Sequence, residues 1–161
     1  MTPHARHPGA AFSLVEVLVV VVILGILAAV AIPGLISTTT DGQTSSAEST
    51  LFGVRSAIAS FRERAVIAGD DPFPTLAELT TLGTVADRAI GANPFTDVSG
   101  VRAASLAEAQ ARTVVSPTTY GWAYYVNNSS TPPIAVFWAN STDETTRTDA
   151  DSGDPVPANE L

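Results

Sequence analysis

The residue whose position asks for chemistry is Glu16. It is a carboxylate near the start of the apolar run Phe12-Ser13-Leu14-Val15-Glu16-Val17-Leu18, and from Val17 to Ile32 sixteen residues follow without a polar side chain. A carboxylate on a membrane helix costs ~2.5–3.5 kcal/mol near the bilayer centre and less near the interface, so an acid kept there calls for a cationic partner. The ordinary catalytic sets are missing. The sequence has no cysteine, which removes thiolate nucleophiles, disulfides and thiolate metal sites together. Its two histidines, His4 and His7, both precede the apolar run. No Ser/His/Asp set, phosphate loop or HExxH metal motif appears, so no residue is assigned a catalytic role and the chain reads as a non-enzyme. One further acidic group has spacing of interest. Asp149, Asp151 and Asp154 place oxygen donors near Gly153, partly like a calcium loop, but the distal bidentate glutamate of that pattern is missing. A calcium site and a solvated acidic tail both stay open there.

The element that must carry Glu16 is a long helix. Phe12 to Ile32 is 21 residues interrupted only by Ser13 and Glu16; at ~1.5 Å per residue this is about 31 Å, the thickness of a bilayer hydrocarbon core. The preceding residues include Arg6, His4 and His7 and no acid, the flank expected on the cytoplasmic side, which orients the N-terminus in and the C-terminus out. A secretory signal peptide begins the same way, but its apolar core is about 7–15 residues, shorter than this run. A plain single-pass anchor accounts for the length and leaves Glu16 unexplained. The net charge of −8, with 16 acids against eight arginines, argues against a nucleic-acid partner.

Taken together, Gly9-Ala10-Ala11 followed by Phe12-Ser13-Leu14-Val15-Glu16 and an apolar run closing in Ile32-Pro33-Gly34 resembles the class III signal of type IV pilins and type II secretion pseudopilins. The resemblance implies a basic leader, residues 1–11, cut by a prepilin peptidase at Ala11–Phe12, and N-methylation of Phe12 by the same enzyme. It makes Glu16 the fifth mature residue, the acid that pairs with a neighbour's methylated amine during assembly. Ala11 stands where the family has glycine. The added methyl group is small, and slower processing is expected. The resemblance further implies a homopolymer with other pilins or pseudopilins, an inner-membrane assembly platform as partner, and a metal-binding C-terminal region in major pseudopilins. In such a filament Gly25, Ala28, Ala29 and Ala31 allow close helix approach. Pro33, lacking an N–H, predicts a bend or melted turn at the end of the apolar segment, and helix is expected to resume beyond it.

Downstream, Ala47, Leu51, Val54, Ile58, Phe61 and Ala65 are spaced 4, 3, 4, 3 and 4, one apolar stripe on a helix from about Ser45 to Ala68. The Thr/Ser/Gly-rich stretch Ser37 to Ser46 is expected to be its loose link to the first half. Thr75-Leu76-Ala77-Glu78 reads as a capping box for a short helix ended at Gly83, and Leu106 to Arg112 as a second. Tyr120 to Val126 and Ile134 to Ala139 are aromatic and β-branched, separated by seven turn-forming residues, and predict an antiparallel hairpin covering the helix stripe. Trp122, Tyr124, Phe137 and Trp138 are assigned to packing in preference to a ligand platform.

The fold class is therefore α+β, a long N-terminal helix packed on a small C-terminal antiparallel sheet. Its divisions are a leader 1–11, a transmembrane and polymerisation helix 12–33, an amphipathic continuation 34–68, a globular head 69–140 and an acidic tail 141–161, exposed and disordered. The functional expectation is a structural subunit of a type II secretion pseudopilus in the bacterial inner membrane, N-terminus cytoplasmic and C-terminus periplasmic, extracted into a filament. A type IV pilus pilin is the alternative. A single-pass membrane-anchored periplasmic binding module is the alternative of a different class.

Overall fold

The computed structural model describes residues 13–161, the side chains of 31–37 excepted. Its contacts divide the chain into two units, Met1–Thr38 and Thr39–Leu161. One helix, α1 (Leu14–Ala68, 55 residues), contributes to both.

In the first unit α1 begins with the Ser13 carbonyl accepting from the amides of Glu16 and Val17 at 3.0 and 3.2 Å. Glu16 lies in this first turn, where the positive end of the helix dipole favours an acid. The helix runs through Pro33-Gly34 without the melted turn expected there. Proline removes a single i→i−4 hydrogen bond, and the ladder resumes on the next donor. The stretch 37–46, expected to be loose, is likewise helical. Low Thr/Ser/Gly propensity is overridden by tertiary contact: Thr44 is buried in the second unit, and its hydroxyl accepts from the Thr146 amide at 3.1 Å.

The second unit is built on the expected stripe. Ala47, Leu51, Val54, Ile58 and Ala65 are buried, with Phe61 half-buried at the core margin. Two short helices, α2 (Leu76–Thr80) and α3 (Leu106–Ala111), are each opened by a complete capping box, Thr75 with Glu78 and Ser105 with Glu108. Between them lies β1 (Val101–Ala103), and after them the hairpin β2 (Trp122–Asn127) and β3 (Ile134–Ala139). β2 pairs antiparallel with β3 in the register Trp122↔Ala139 to Asn127↔Ile134. β1 adds to the other edge of β2 in parallel, so the sheet is mixed, with order β1-β2-β3.

Side-chain alternation explains why β2 is buried almost throughout. Trp122, Tyr124 and Phe137 enter the core cluster that contains Leu51, Val54 and Ile58 of α1; Ala123, Tyr125 and Trp138 point the other way and pack with Ala109 of α3. A strand covered on both faces has no solvent face to leave polar. The Trp122 and Phe137 rings stack with centroids 5.5 Å apart, Trp122 Nε1 donates to the Gly91 carbonyl at 2.8 Å, and the Tyr124 hydroxyl donates to the Pro74 carbonyl at 2.8 Å. Burial, followed by the nearby Glu78 charge, pushes the Tyr124 phenol far above its ordinary pKa. Trp122, Tyr124, Phe137 and Trp138 are all core residues, as expected from packing.

Two buried asparagines hold the entry and exit of this hairpin. Asn93 donates to the Gly121 carbonyl at 2.8 Å while its own amide donates to Val98 O at 2.9 Å. Gly121 is required beside it: a Cβ there would meet Val98 O at 1.9 Å. Asn140 donates to the Val115 and Tyr120 carbonyls at 2.9 and 2.7 Å and accepts from the Val115 amide at 2.9 Å. Each amide side chain thus replaces strand hydrogen bonds that the connecting loops cannot make.

The segment 141–161 is folded, contrary to the disordered tail its composition suggested. It forms a second small sheet, β4 (Glu144–Thr148) with β5 (Pro155–Pro157), and a closing 3₁₀ turn, Ala158–Glu160. Ser141, Thr145, Ala158 and Asn159 are buried, and Ala158 joins the main core. The acids that dominate the composition face solvent, while a few small residues and backbone hydrogen bonds do the anchoring. Thr145 Oγ1 donates to Val156 O at 2.7 Å, and Arg147 clasps Glu48 of α1, with Nη2 to Oε2 at 2.9 Å.

Candidate functional site

The candidate site is a surface and not a pocket. From Leu14 to Val30 every described side chain of α1 is exposed, from 47% for Val20 to 78% for Leu14 among its large apolar residues. Fully covering a Val, Leu or Ile contributes ~1.5–3 kcal/mol, so the thirteen large apolar residues here, each 47–78% exposed, leave on the order of 10–25 kcal/mol of burial unrealised among the described residues. A helix apolar on all sides is one that lipid or other helices must surround. Glu16 is the single charge on it, exposed with the rest. Small residues at Gly25, Ala28 and Ala29 thin the helix towards the end of this segment, and a Cβ at Gly25 would meet nothing within 4 Å, so the space beside it is free for a neighbouring backbone.

Among the described residues no helix is long and apolar enough to cross a membrane. The described apolar segment, Leu14–Val30, is about 25 Å long at ~1.5 Å per residue; the 21-residue span counted from sequence also needs Phe12, Ala31 and Ile32, whose side chains lie outside the described residues. The cleavage position Ala11–Phe12 and the methylation position Phe12 lie outside them too. Pro33 is within α1, and its side chain is not among those described.

The acidic calcium candidates are not brought together. Among the described residues no group of three His, Asp or Glu side chains is placed to hold a metal ion. Asp149 instead turns its carboxylate back on its own loop and accepts from the Asp151 and Ser152 amides, both at 2.9 Å, which holds its pKa below the usual carboxylate range. Three residues that sequence reasoning did not group, Arg55, Arg62 and Arg112, do converge on one groove. Arg55 and Arg62 sit a heptad apart and so share a helix face, a legible signal; Arg112 arrives from the left-handed cap of α3, at φ 45°, which spacing alone does not disclose.

Residues 8–32 match the prokaryotic N-terminal methylation motif. The match contains Ala11, Phe12 and Glu16, and the resemblance drawn from those residues is thereby shown. No curated protein and no solved structure matches the chain. The motif supports a type IV pilin-like protein. A signal of this kind implies cleavage by a prepilin peptidase, N-methylation, membrane anchoring and pilus-type assembly.

Proposed function

We propose that the chain is a structural, non-catalytic subunit of a type II secretion pseudopilus, held in the bacterial inner membrane with its N-terminus cytoplasmic and its head periplasmic until it is extracted into a helical filament. The observation that carries this reading is the helix surface Leu14–Val30, apolar on every side and interrupted only by Glu16. A bilayer satisfies the apolar residues before assembly, and a bundle of identical helices satisfies them afterwards. Cutting at Ala11–Phe12 frees the Phe12 α-amine, which is N-methylated in a separate step, and Glu16 of the incoming subunit pairs with the amine of a neighbour. An unpaired carboxylate in a low-dielectric bundle is costly while an opposite charge at contact offsets much of that cost, so the pair fixes register. The pseudopilus is favoured over a pilus by the small head and by the lack of the C-terminal cysteine pair with which many pilins close a loop.

Mass spectrometry of the mature N-terminus, in cells with and without the prepilin peptidase, tests this directly. N-methyl-phenylalanine from Phe12 is expected only when the peptidase is present. An intact Met1, or an N-terminus beyond Ala31, would sink the reading.

A further inference from the structure

The head carries a cationic groove in a chain whose net charge is −8. A cavity of about 450 Å³ has Arg55, Arg62 and Arg112 around it and Ile58, Ala135 and Phe137 among its apolar walls. Arg55 Nη2 donates to Phe137 O at 3.1 Å and Leu161 O at 2.8 Å; Arg112 Nη1 donates to Glu160 O at 2.7 Å and shares Leu161 O at 3.5 Å. The Arg62 guanidinium lies 5.1 Å over the Phe73 ring. These acceptors are backbone oxygens and a ring face. The ion pairs among the described residues, Arg102–Glu108 and Arg147–Glu48, lie elsewhere. Partial burial, and then the like charge of Arg112, lower the Arg55 pKa, as expected where cations crowd without an anion.

The complementary feature is the turn between β4 and β5. Its backbone is closed by the Asp149 amide on Asp154 O and the Gly153 amide on Asp149 O, both at 2.9 Å. With the Asp149 carboxylate occupied by the turn itself, those of Asp151 and Asp154 accept no hydrogen bond among the described residues and project into solvent. Turn and groove cannot meet within one subunit. Leu161 follows the Pro157 end of β5, whereas the acidic turn caps the opposite, Thr148↔Pro155 end. Along α1 the turn's strand contacts Thr44 and Glu48 while the groove is at Arg55 to Arg62, a separation of roughly 12 residues or ~18 Å.

We infer that the arginine groove of one subunit receives the Asp149–Asp154 turn of a second copy of the chain, displaced along the helix axis. The inference rests on the filament reading. The two surfaces differ, so the contact is head-to-tail and repeats without closing on itself, which is the symmetry an open filament needs. Exposed opposite charges would set the register of heads and the rate of docking more than they would add affinity.

The chain has no native cysteine, so disulfide trapping in the full-length protein in membranes reads the contact cleanly. Ala59, exposed on the groove rim, and Asp151 on the turn are each replaced by cysteine. Chains carrying both Ala59→Cys and Asp151→Cys are expected to give a reducible ladder of dimers and higher multimers, and chains carrying either one alone are not. Adding Arg62→Glu should cut the ladder at least roughly tenfold through like-charge opposition, and further adding Asp154→Arg should restore it. The docking is overturned if the pair gives no ladder while filaments form normally, a result that leaves the filament reading intact. It is equally overturned by ladders of equal strength from the single-cysteine chains, or by crosslinking only to an unrelated polypeptide. A ladder in membranes that never yield filaments supports the docking and removes the filament reading instead.

Discussion

The two parts of α1 use the same residue types to opposite ends. In Leu14–Val30 the apolar residues occupy every side of the helix and all remain exposed; in Thr44–Ala65 the stripe from Ala47 to Ala65 is covered by the head's own sheet, and of the large apolar residues Phe52 alone stays exposed, at 76%. The second arrangement is satisfied within one chain. The first is not: among the described residues nothing covers its apolar surface. Intramolecular stability and assembly are thus separated along one helix, and substitutions in the two parts should fail in different assays.

The largest expected effect is on assembly. Glu16→Ala removes the only charge from the described apolar segment, so membrane insertion should be unchanged or improved, while the neighbour's amine loses its partner in the bundle. Filament yield measured by shearing and immunoblot should fall more than about tenfold with the membrane-fraction level constant. Unchanged filament yield would refute the pairing assigned to Glu16.

The mirror experiment is Trp122→Ala. Trp122 is fully buried and stacked on Phe137, and its indole N–H is satisfied by Gly91 O, so truncation leaves a cavity and an unpartnered carbonyl. A loss of about 3–5 kcal/mol is expected, enough to unfold much of the head in a denaturant titration of the detergent-solubilised chain. Leader cleavage should proceed as before, since the matched motif, residues 8–32, lies outside the head. A cleavage defect as severe as the folding defect would show that the two parts are not separable.

How much of this was legible from sequence follows the same division. The stripe from Ala47 to Ala65 was readable because a period of 3.6 is a local signal, and the first capping box because Thr75 and Glu78 satisfy each other within one turn; the second short helix was read by its span alone, and its Ser105–Glu108 box came from the structure. The hairpin was readable from its β-branched and aromatic runs. Three features were not. Parallel pairing of β1 with β2 depends on contacts across the α3 crossover; the helix through 37–46 depends on Thr44 meeting Thr146; and the folding of 141–161 depends on a few small buried residues amid exposed acids. In each, a partner distant in sequence decides the outcome, and composition records only the local preference it overrides. At the candidate site the order of Phe12, Glu16 and the apolar run was fully legible, whereas the arginine groove was not.

A smaller effect inside the head is expected from Asn140→Ala. Its side chain makes three hydrogen bonds that tie the loop before β2 to the end of β3, all at a position with no solvent access. Leaving buried carbonyls unanswered costs about 1–3 kcal/mol. The denaturation midpoint should drop without a change in slope, and hydrogen exchange at Val115 should accelerate more than at the Tyr124 amide. Uniform acceleration across both would mean that the loop is not held locally by Asn140.

The smallest effect is a pH dependence confined to the caps. The Glu78 carboxylate accepts from the Thr75 amide and hydroxyl, both at 2.8 Å, and the Glu108 carboxylate from the Ser105 amide and from Arg102; each has its pKa lowered, foremost by the backbone hydrogen bond. A carboxylate whose pKa is lower folded than unfolded adds stability that is complete above its unfolded value near ~4.3 and is lost as pH falls through the folded value. Both residues are half-buried at the head's surface, where solvent screening keeps the contribution small. Glu78→Gln combined with Glu108→Gln should therefore lower the thermal midpoint slightly at pH 7, and the gap from the parent chain should close as pH is brought below about 4. A gap that stays constant down to low pH would assign the caps to geometry alone, since glutamine keeps the shape of the capping box and lacks only its charge.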